Sequence, residues 1–191
     1  SYNGGNAGVQ EGHATTTGYM LFKRFNRSIS KTSPGVTSQN RPSIIFRLAD
    51  FYLIYAEVAN EVNPSDSRVL TYLNLVRERA GLPKIEVLNP GIVGNKELQR
   101  AAIQRERQIE LATEGQRYFD VRRWMIADKD GEGRQNGYAH GMNVRGTIND
   151  TEEFNRVVET EKIVFNRKMY LQPIPDHEMR KTQNLVQNPG W

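Results

Sequence analysis

Glu106, Glu110 and Glu114 recur every four residues. On a helix that spacing stacks three carboxylates along one face, a pattern that can move a proton in general acid–base catalysis or hold a divalent cation. Arg105, Arg107, Arg117 and Arg122 lie beside them in sequence, and neighbouring guanidinium groups would keep the carboxylates ionised and paired. Glu114, Arg117, Asp120 and Arg123 continue by steps of three with alternating sign, which reads as a ladder of ion pairs on a helix. The expectation is therefore a structural cluster, in which Glu110→Ala destabilises the chain rather than abolishing a reaction.

Other chemical motifs begin and then fail. His177-Glu178 opens like a zinc-protease helix, but Lys181 stands where the second histidine ligand belongs. His13, His140 and His177 are the only histidines and cysteine is absent, which argues against a structural zinc site and excludes disulfide and thiolate chemistry. Asp128, Asp130, Glu132 and Gly133 open like a calcium loop, yet Ala139 occupies the twelfth place, where a bidentate carboxylate is required. A surface acidic turn is the expected reading. No nucleophile elbow, phosphate loop or dinucleotide fingerprint is present. No catalytic residue, metal or cofactor is assigned.

These residues need elements to hold them. The 191 residues suit one domain or one lobe of a larger one. Mean hydropathy is −0.67 and 37% of residues are hydrophobic, polar for a globular chain, but the apolar positions cluster into periodic segments. No apolar run reaches the roughly 20 residues that span a bilayer. The net charge of +4 is interleaved with acids rather than massed on a face, which argues against a nucleic-acid partner.

Residues 1–41 form a Gly-, Ser-, Thr- and Asn-rich lead-in, broken by an apolar run over 18–25 that could be a strand. Residues 42–127 form the helical scaffold. Its first helix is predicted over 43–62, with Leu48, Phe51, Tyr52, Tyr55, Ala59 and Val62 apolar and Asp50, Glu57 and Glu61 as a narrow polar stripe, so it is expected to be mostly buried. Asn63-Pro64 ends it. Ser65 or Asp66 caps a second helix to about residue 80, with Val69, Leu73, Val76 and Ala80 inward, stopped by Gly81 and Pro83. Residues 84–94 read as a loop. Two further helices, 95–112 and 116–127, meet at Gly115. Tyr52, Tyr55, Tyr72, Tyr118, Phe119 and Trp124 lie at helical spacing and are assigned to the core. Residues 128–191 are loop-rich: a long Gly-rich stretch over 128–150, a helix or strand over 154–165, an extended segment over 170–175 set by Pro173 and Pro175, and a helical turn from Asp176.

The run over 106–124 also carries a resemblance. Glu106, Arg107, Ile109, Glu110 and Leu111, then Glu114, Gly115, Arg117, Tyr118 and Phe119, then Asp120, Arg122, Arg123 and Trp124 resemble the signature near the C-terminus of the SusD/RagB family. The blocks RLADFYLIYAE (47–57), LNLVRERAGLP (73–83), YLQPIPDHE (170–178) and QNPGW (187–191) fit the same family in the same order. The resemblance implies a mainly α fold of tetratricopeptide-like helical pairs with long irregular loops, to which we add a short β-hairpin near the start. It implies the C-terminal portion of an exported lipoprotein at the cell outer membrane, surface-exposed, with its lipid anchor outside this sequence. The implied function is non-catalytic nutrient binding, of a polysaccharide or oligosaccharide first, beside a SusC-like TonB-dependent transporter. A RagB-like peptide binder and a helical-repeat adaptor stay open as alternatives, with an enzyme third.

A glycan binder needs flat apolar faces for C–H surfaces and polar groups for hydroxyls, because a buried unpaired hydroxyl is costly. Tyr2, Tyr19 and Tyr138, with His13, His140 and Arg145 near them, fall in predicted loops and form the candidate ligand-contacting set. The matched family blocks look like scaffold, so no binding residue is carried over from them.

Overall fold

The computed structural model describes Tyr19, Lys23, residues 43–129, 136–143, Glu152 and 157–191. The strand expected over 18–25 lies outside these apart from Tyr19 and Lys23. The chain divides into a helical unit, Pro42–Met125, and a second unit made of Ser1–Arg41 and Ile126–Trp191. The described architecture is mainly α-helical with one small antiparallel sheet.

The helical unit opens with α1 (Leu48–Val62). The helix begins later than predicted because Arg47 is extended, at φ −151° and ψ 166°, and its guanidinium reaches Glu110 and Glu114 instead of continuing the turn. Asn63, before Pro64, is also extended and ends the helix, as the proline requires. Asp66 accepts the backbone N–H of Arg68 at 2.9 Å just ahead of α2 (Arg68–Arg79), whose N-cap residue Ser67 makes no side-chain capping bond. Gly81, at φ 77°, closes α2. Leu82 N–H reaches the Arg77 carbonyl and Gly81 N–H that of Glu78, a paired closure that needs a left-handed residue at this place.

The core of this unit is Ala49, Leu53 and Ala56 of α1, Val69, Leu73 and Val76 of α2, and Ile103 of the fourth helix. Tyr72 packs on Tyr52 and Tyr55, with ring centroids 5.4 and 4.5 Å apart. The predicted loop over 84–94 contains a short helix, α3 (Ile85–Leu88), and a 3₁₀ turn, Pro90–Ile92. Asn74, buried within α2, holds this segment: it accepts from Ile85 N–H and donates to Glu86. Asn95 caps α4 (Lys96–Glu110) by accepting from Leu98 N–H. Gly115, at φ 82°, separates α4 from α5 (Gln116–Arg123), the stop and restart that its place in the sequence predicts.

Three expectations about packing are corrected. The face of α1 that is buried carries Ala49, Asp50, Leu53, Ala56 and Asn60, whereas Leu48, Phe51, Tyr55, Val58 and Val62 are exposed. The small residues allow close approach to α2 and α4, and the larger apolar residues point away. Tyr118 and Phe119 are likewise exposed, Phe119 to 64%, because Asp120 and Val121 take the buried side of α5. Ala80 is exposed beyond the end of α2.

In the second unit β1 (Gly137–Met142) pairs antiparallel with β2 (Val157–Ile163), with a register shift between Ala139 and His140. The hairpin expected near the start of the chain lies outside the described residues, and within 154–165 a strand spans Val157–Ile163. Beyond it Phe165 is buried against Tyr170 at a 5.0 Å centroid distance, and the Tyr170 hydroxyl donates to Asp128 at 2.6 Å. A 3₁₀ turn (Arg167–Tyr170) and a final helical turn, α6 (Asp176–Met179), follow. The segment 171–175 between them has no regular structure, as its prolines predict. Trp191 Nε1 donates to the carbonyls of Lys168 and Leu171 and ties down the tail.

Candidate functional site

The acidic cluster is the first place to look for chemistry. Glu114 accepts two hydrogen bonds from Arg47, at 2.8 and 2.9 Å. Glu110 accepts from Arg47 and from Arg79, and Glu106 from Arg77 at 2.9 Å. Hydrogen bonding to Glu114 first, and then to Glu110, holds the Arg47 guanidinium above its ordinary range despite its partial burial. Arg107, buried, bridges Asp50 at 2.8 Å and Asp120 at 2.9 and 3.1 Å. Arg123 joins Asp120 to Glu57, and Glu57 also accepts from Trp124 Nε1 at 2.7 Å. The network is structural, but its partners differ from those nearest in sequence. Arg47, Arg77 and Arg79 come from α2 and the residue before α1, so the pairs tie different elements together rather than lining one helix.

The remaining chemical motifs are also engaged in local structure. His177 Nε2 lies 3.1 Å from Glu178, which Lys181 pairs at 2.6 Å. Asp128 receives the Tyr170 hydroxyl, which with nearby cations keeps its carboxyl below the usual range. Asp130, Glu132 and Gly133 of the calcium-like run lie outside the described residues. Among the described residues no group of three or more His, Asp or Glu is arranged to hold a metal.

The candidate ligand residues are distributed as follows. Tyr2, His13 and Arg145 lie outside the described residues. Tyr19 is 58% exposed. Tyr138 and His140 are both exposed and lie two apart on β1, hence on the same face of the ribbon, about 6.8 Å apart along the strand. The sequence places both in a loop; the strand instead fixes their spacing and direction. Lys162 is the cross-strand partner of Tyr138, and its ammonium lies 5.6 Å from the ring centroid. The Tyr138 ring thus has the Lys162 ammonium over it, and His140 is the next exposed residue along β1. The arrangement can stack an apolar ring face and hydrogen-bond polar groups around it. Sequence reasoning missed Lys162, since only the strand register brings 138 and 162 together. It also missed the exposed pair Tyr118 and Phe119, with Arg122 stacked 3.5 Å over Tyr118, because helical spacing alone does not say which face is covered.

Comparison with known proteins places this architecture. Residues 1–191 match the SusD family. SusD-like protein P25 of Formosa agariphila is 44% identical over 108 residues, covering 56% of this chain and 19% of that protein. SusD-like protein P2 of the same organism is 32% identical over 153 residues, covering 78% of this chain and 26% of its relative. The crystal structure of a SusD-like protein from Bacteroides fragilis superposes with a TM-score of 0.61 at 31% identity, covering 78% of this chain and 26% of the solved one. The chain thus spans about a quarter or less of the length of the relatives it matches. A match over the whole chain and a helical fold shared with a solved relative lead to one conclusion: this chain belongs to the SusD family.

Proposed function

We propose that this chain is part of a non-catalytic protein that captures glycans at the outer-membrane surface and works beside a SusC-like TonB-dependent transporter. The observation that carries the reading is the exposed ribbon face, where Tyr138 and His140 stand on one side of β1 with Lys162 across the strand. A sugar ring offers C–H surface to the tyrosine and hydroxyls to the imidazole and ammonium. The pairing of Glu106, Glu110 and Glu114 with arginines supports a binding role over an acid–base one. A peptide ligand is the second reading. Its support is the two-stranded ribbon itself: among the described residues β1 and β2 pair only with each other, and an extended chain could add at an outer edge.

The test is retention of the chain on a panel of immobilised neutral polysaccharides (amylopectin, xylan, laminarin), beside the Tyr138→Ala and His140→Ala variants. We expect retention on one polysaccharide, weakened by either substitution, with no release of reducing ends. Release of reducing ends by the purified chain would overturn the non-catalytic reading. Retention unchanged in both variants would remove the ribbon face from the site.

A further inference from the structure

Among the described residues β1 and β2 are the only strands, and they pair with each other alone. A two-stranded ribbon is marginal by itself in water and takes its geometry from what it packs on. The sequence of β1, GYAHGM, adds to the difficulty. Glycines stand at 137 and 141, and the register shifts between Ala139 and His140. Register is weakly specified in Gly-rich strands, and a slip of one residue turns every side chain to the opposite face. A face that depends on Tyr138 standing opposite Lys162, with the ammonium 5.6 Å from the ring centroid, therefore needs its register fixed from outside the strands.

The fixing contacts lie at the end of the ribbon next to that pair. Beyond Tyr138 and Lys162 comes the pair Gly137 and Ile163. Just past it the Asn136 side-chain oxygen accepts the Phe165 backbone N–H at 3.1 Å. The bond joins the residue before β1 to one shortly after β2, so a slip of either strand would carry one partner past the other. Phe165 is 6% exposed and, with Ala127, supplies the buried apolar side chains among the described residues of this unit. Its ring meets Tyr170 edge-on at 5.0 Å. The Tyr170 hydroxyl donates to the Asp128 carboxylate at 2.6 Å and accepts the Asp128 N–H at 3.1 Å.

The tail braces the same turn. Trp191 Nε1 donates to the carbonyls of Lys168 and Leu171, on either side of Tyr170, at 3.0 and 3.1 Å. The Trp191 ring lies 4.2 Å from the Lys168 ammonium. Earlier in the tail, Gln187 pairs with both backbone groups of Ile174, and Asn188 donates to the Gln172 carbonyl. Contacts therefore run without a break from the last residue of the chain to the end of the ribbon.

We propose that Asn136 and Phe165 are positioning residues that lock the register of the ribbon, and that Tyr170 and Trp191 hold the lock in place. Their effect on a ligand passes through Tyr138 and Lys162. For its consequence in binding the inference rests on the ribbon reading proposed above. For the register it rests on the contacts alone, so the two can fail separately.

The test reads the pairing of Tyr138 with Lys162 by proton–carbon NMR of the 191-residue chain. A methylene held over an aromatic ring is moved upfield by the ring current. The Lys162 ε-methylene signal, assigned by its loss in Lys162→Arg, thus reports the register, and Tyr138→Leu gives its position without the ring. We expect Asn136→Ala to move the signal to the Tyr138→Leu position. Asn136→Asp keeps an oxygen that accepts from Phe165 and should leave the signal at the wild-type position. Trp191→Leu should move it in the same direction as Asn136→Ala. The helical circular dichroism is followed in every variant and should not change. A signal unmoved in Asn136→Ala overturns the proposal, as does a wild-type signal already at the Tyr138→Leu position. So does a signal that moves equally in Asn136→Asp, or a collapse of the helical signal in Asn136→Ala, since either makes Asn136 a residue of general stability. A signal unmoved in Trp191→Leu overturns the part assigned to the tail. If the signal moves as expected while retention on polysaccharide stays at wild-type strength, the lock stands and the ribbon reading of the binding surface falls.

Discussion

Arg107 lies at the centre of the helical unit with its side chain only 2% exposed, between Asp50 and Asp120. Removing one member of a buried ion-pair network leaves the other charges unpaired, which is far costlier than the net stabilisation of the intact pairs. Arg107→Ala is therefore expected to destabilise the chain by about 3–5 kcal/mol, read by thermal or urea unfolding. Glu110→Ala strips a shared acceptor from Arg47 and Arg79, both part-exposed. We expect a smaller loss, about 1–3 kcal/mol, with polysaccharide retention unchanged. A variant that kept its stability but lost function would contradict the structural role. The charges of this cluster were legible in the sequence as a structural network, because acids and arginines alternate at helical steps. The partners were not. Arg47, Arg77 and Arg79 are 63, 29 and 31 positions from the acids they meet, and only the packing of α1, α2 and α4 brings them together.

Element boundaries followed the residues that have a specific backbone need. Asn63-Pro64, Gly81 and Gly115 end or separate helices where predicted, and Asn95 caps α4. Gly115 is left-handed at φ 82°, and a Cβ there would touch nothing, so the cost of Gly115→Ala is backbone strain alone, about 1–2 kcal/mol, measurable by denaturation. Ion pairs also link elements. Glu61 of α1 accepts from Arg100 of α4, which, with Lys96, brings its carboxyl from an ordinary 4.5 to about 2. A lowered folded-state value means that this contribution is present above pH 4.5 and is lost as the pH falls toward about 2. Across that window the melting temperature of Glu61→Gln should fall less than that of the wild type. An identical decline in both would show that the pair contributes nothing to the pH dependence, as exposed pairs sometimes do. Burial was less legible than boundaries. On α1 the large residues Phe51, Tyr55 and Val62 suggested the inward face, yet Ala49 and Ala56 occupy it, because periodicity reports two apolar stripes without saying which one this chain covers. The strand over Gly137–Met142 was hidden by its glycines and short polar residues, which read as loop.

At the scale of the whole molecule, order and motif said more than composition. Five blocks in family order identified a helical scaffold, and the match over 1–191 with a TM-score of 0.61 to a solved relative bears out that family and fold. The candidate surface is only partly legible in the sequence. Residue type alone singles out Tyr138 and His140, but their shared face and the approach of Lys162 follow from strand register, which local sequence does not encode. The central claim is that this ribbon face binds a sugar without altering it. Its most direct test is calorimetric titration of the chain with the polysaccharide that retains it, repeated on Tyr138→Ala. Loss of a stacking face should weaken binding by about 1–3 kcal/mol, roughly 5- to 150-fold, with the unfolding transition unchanged. Equal affinity in the two proteins would contradict the account and move the binding surface away from β1.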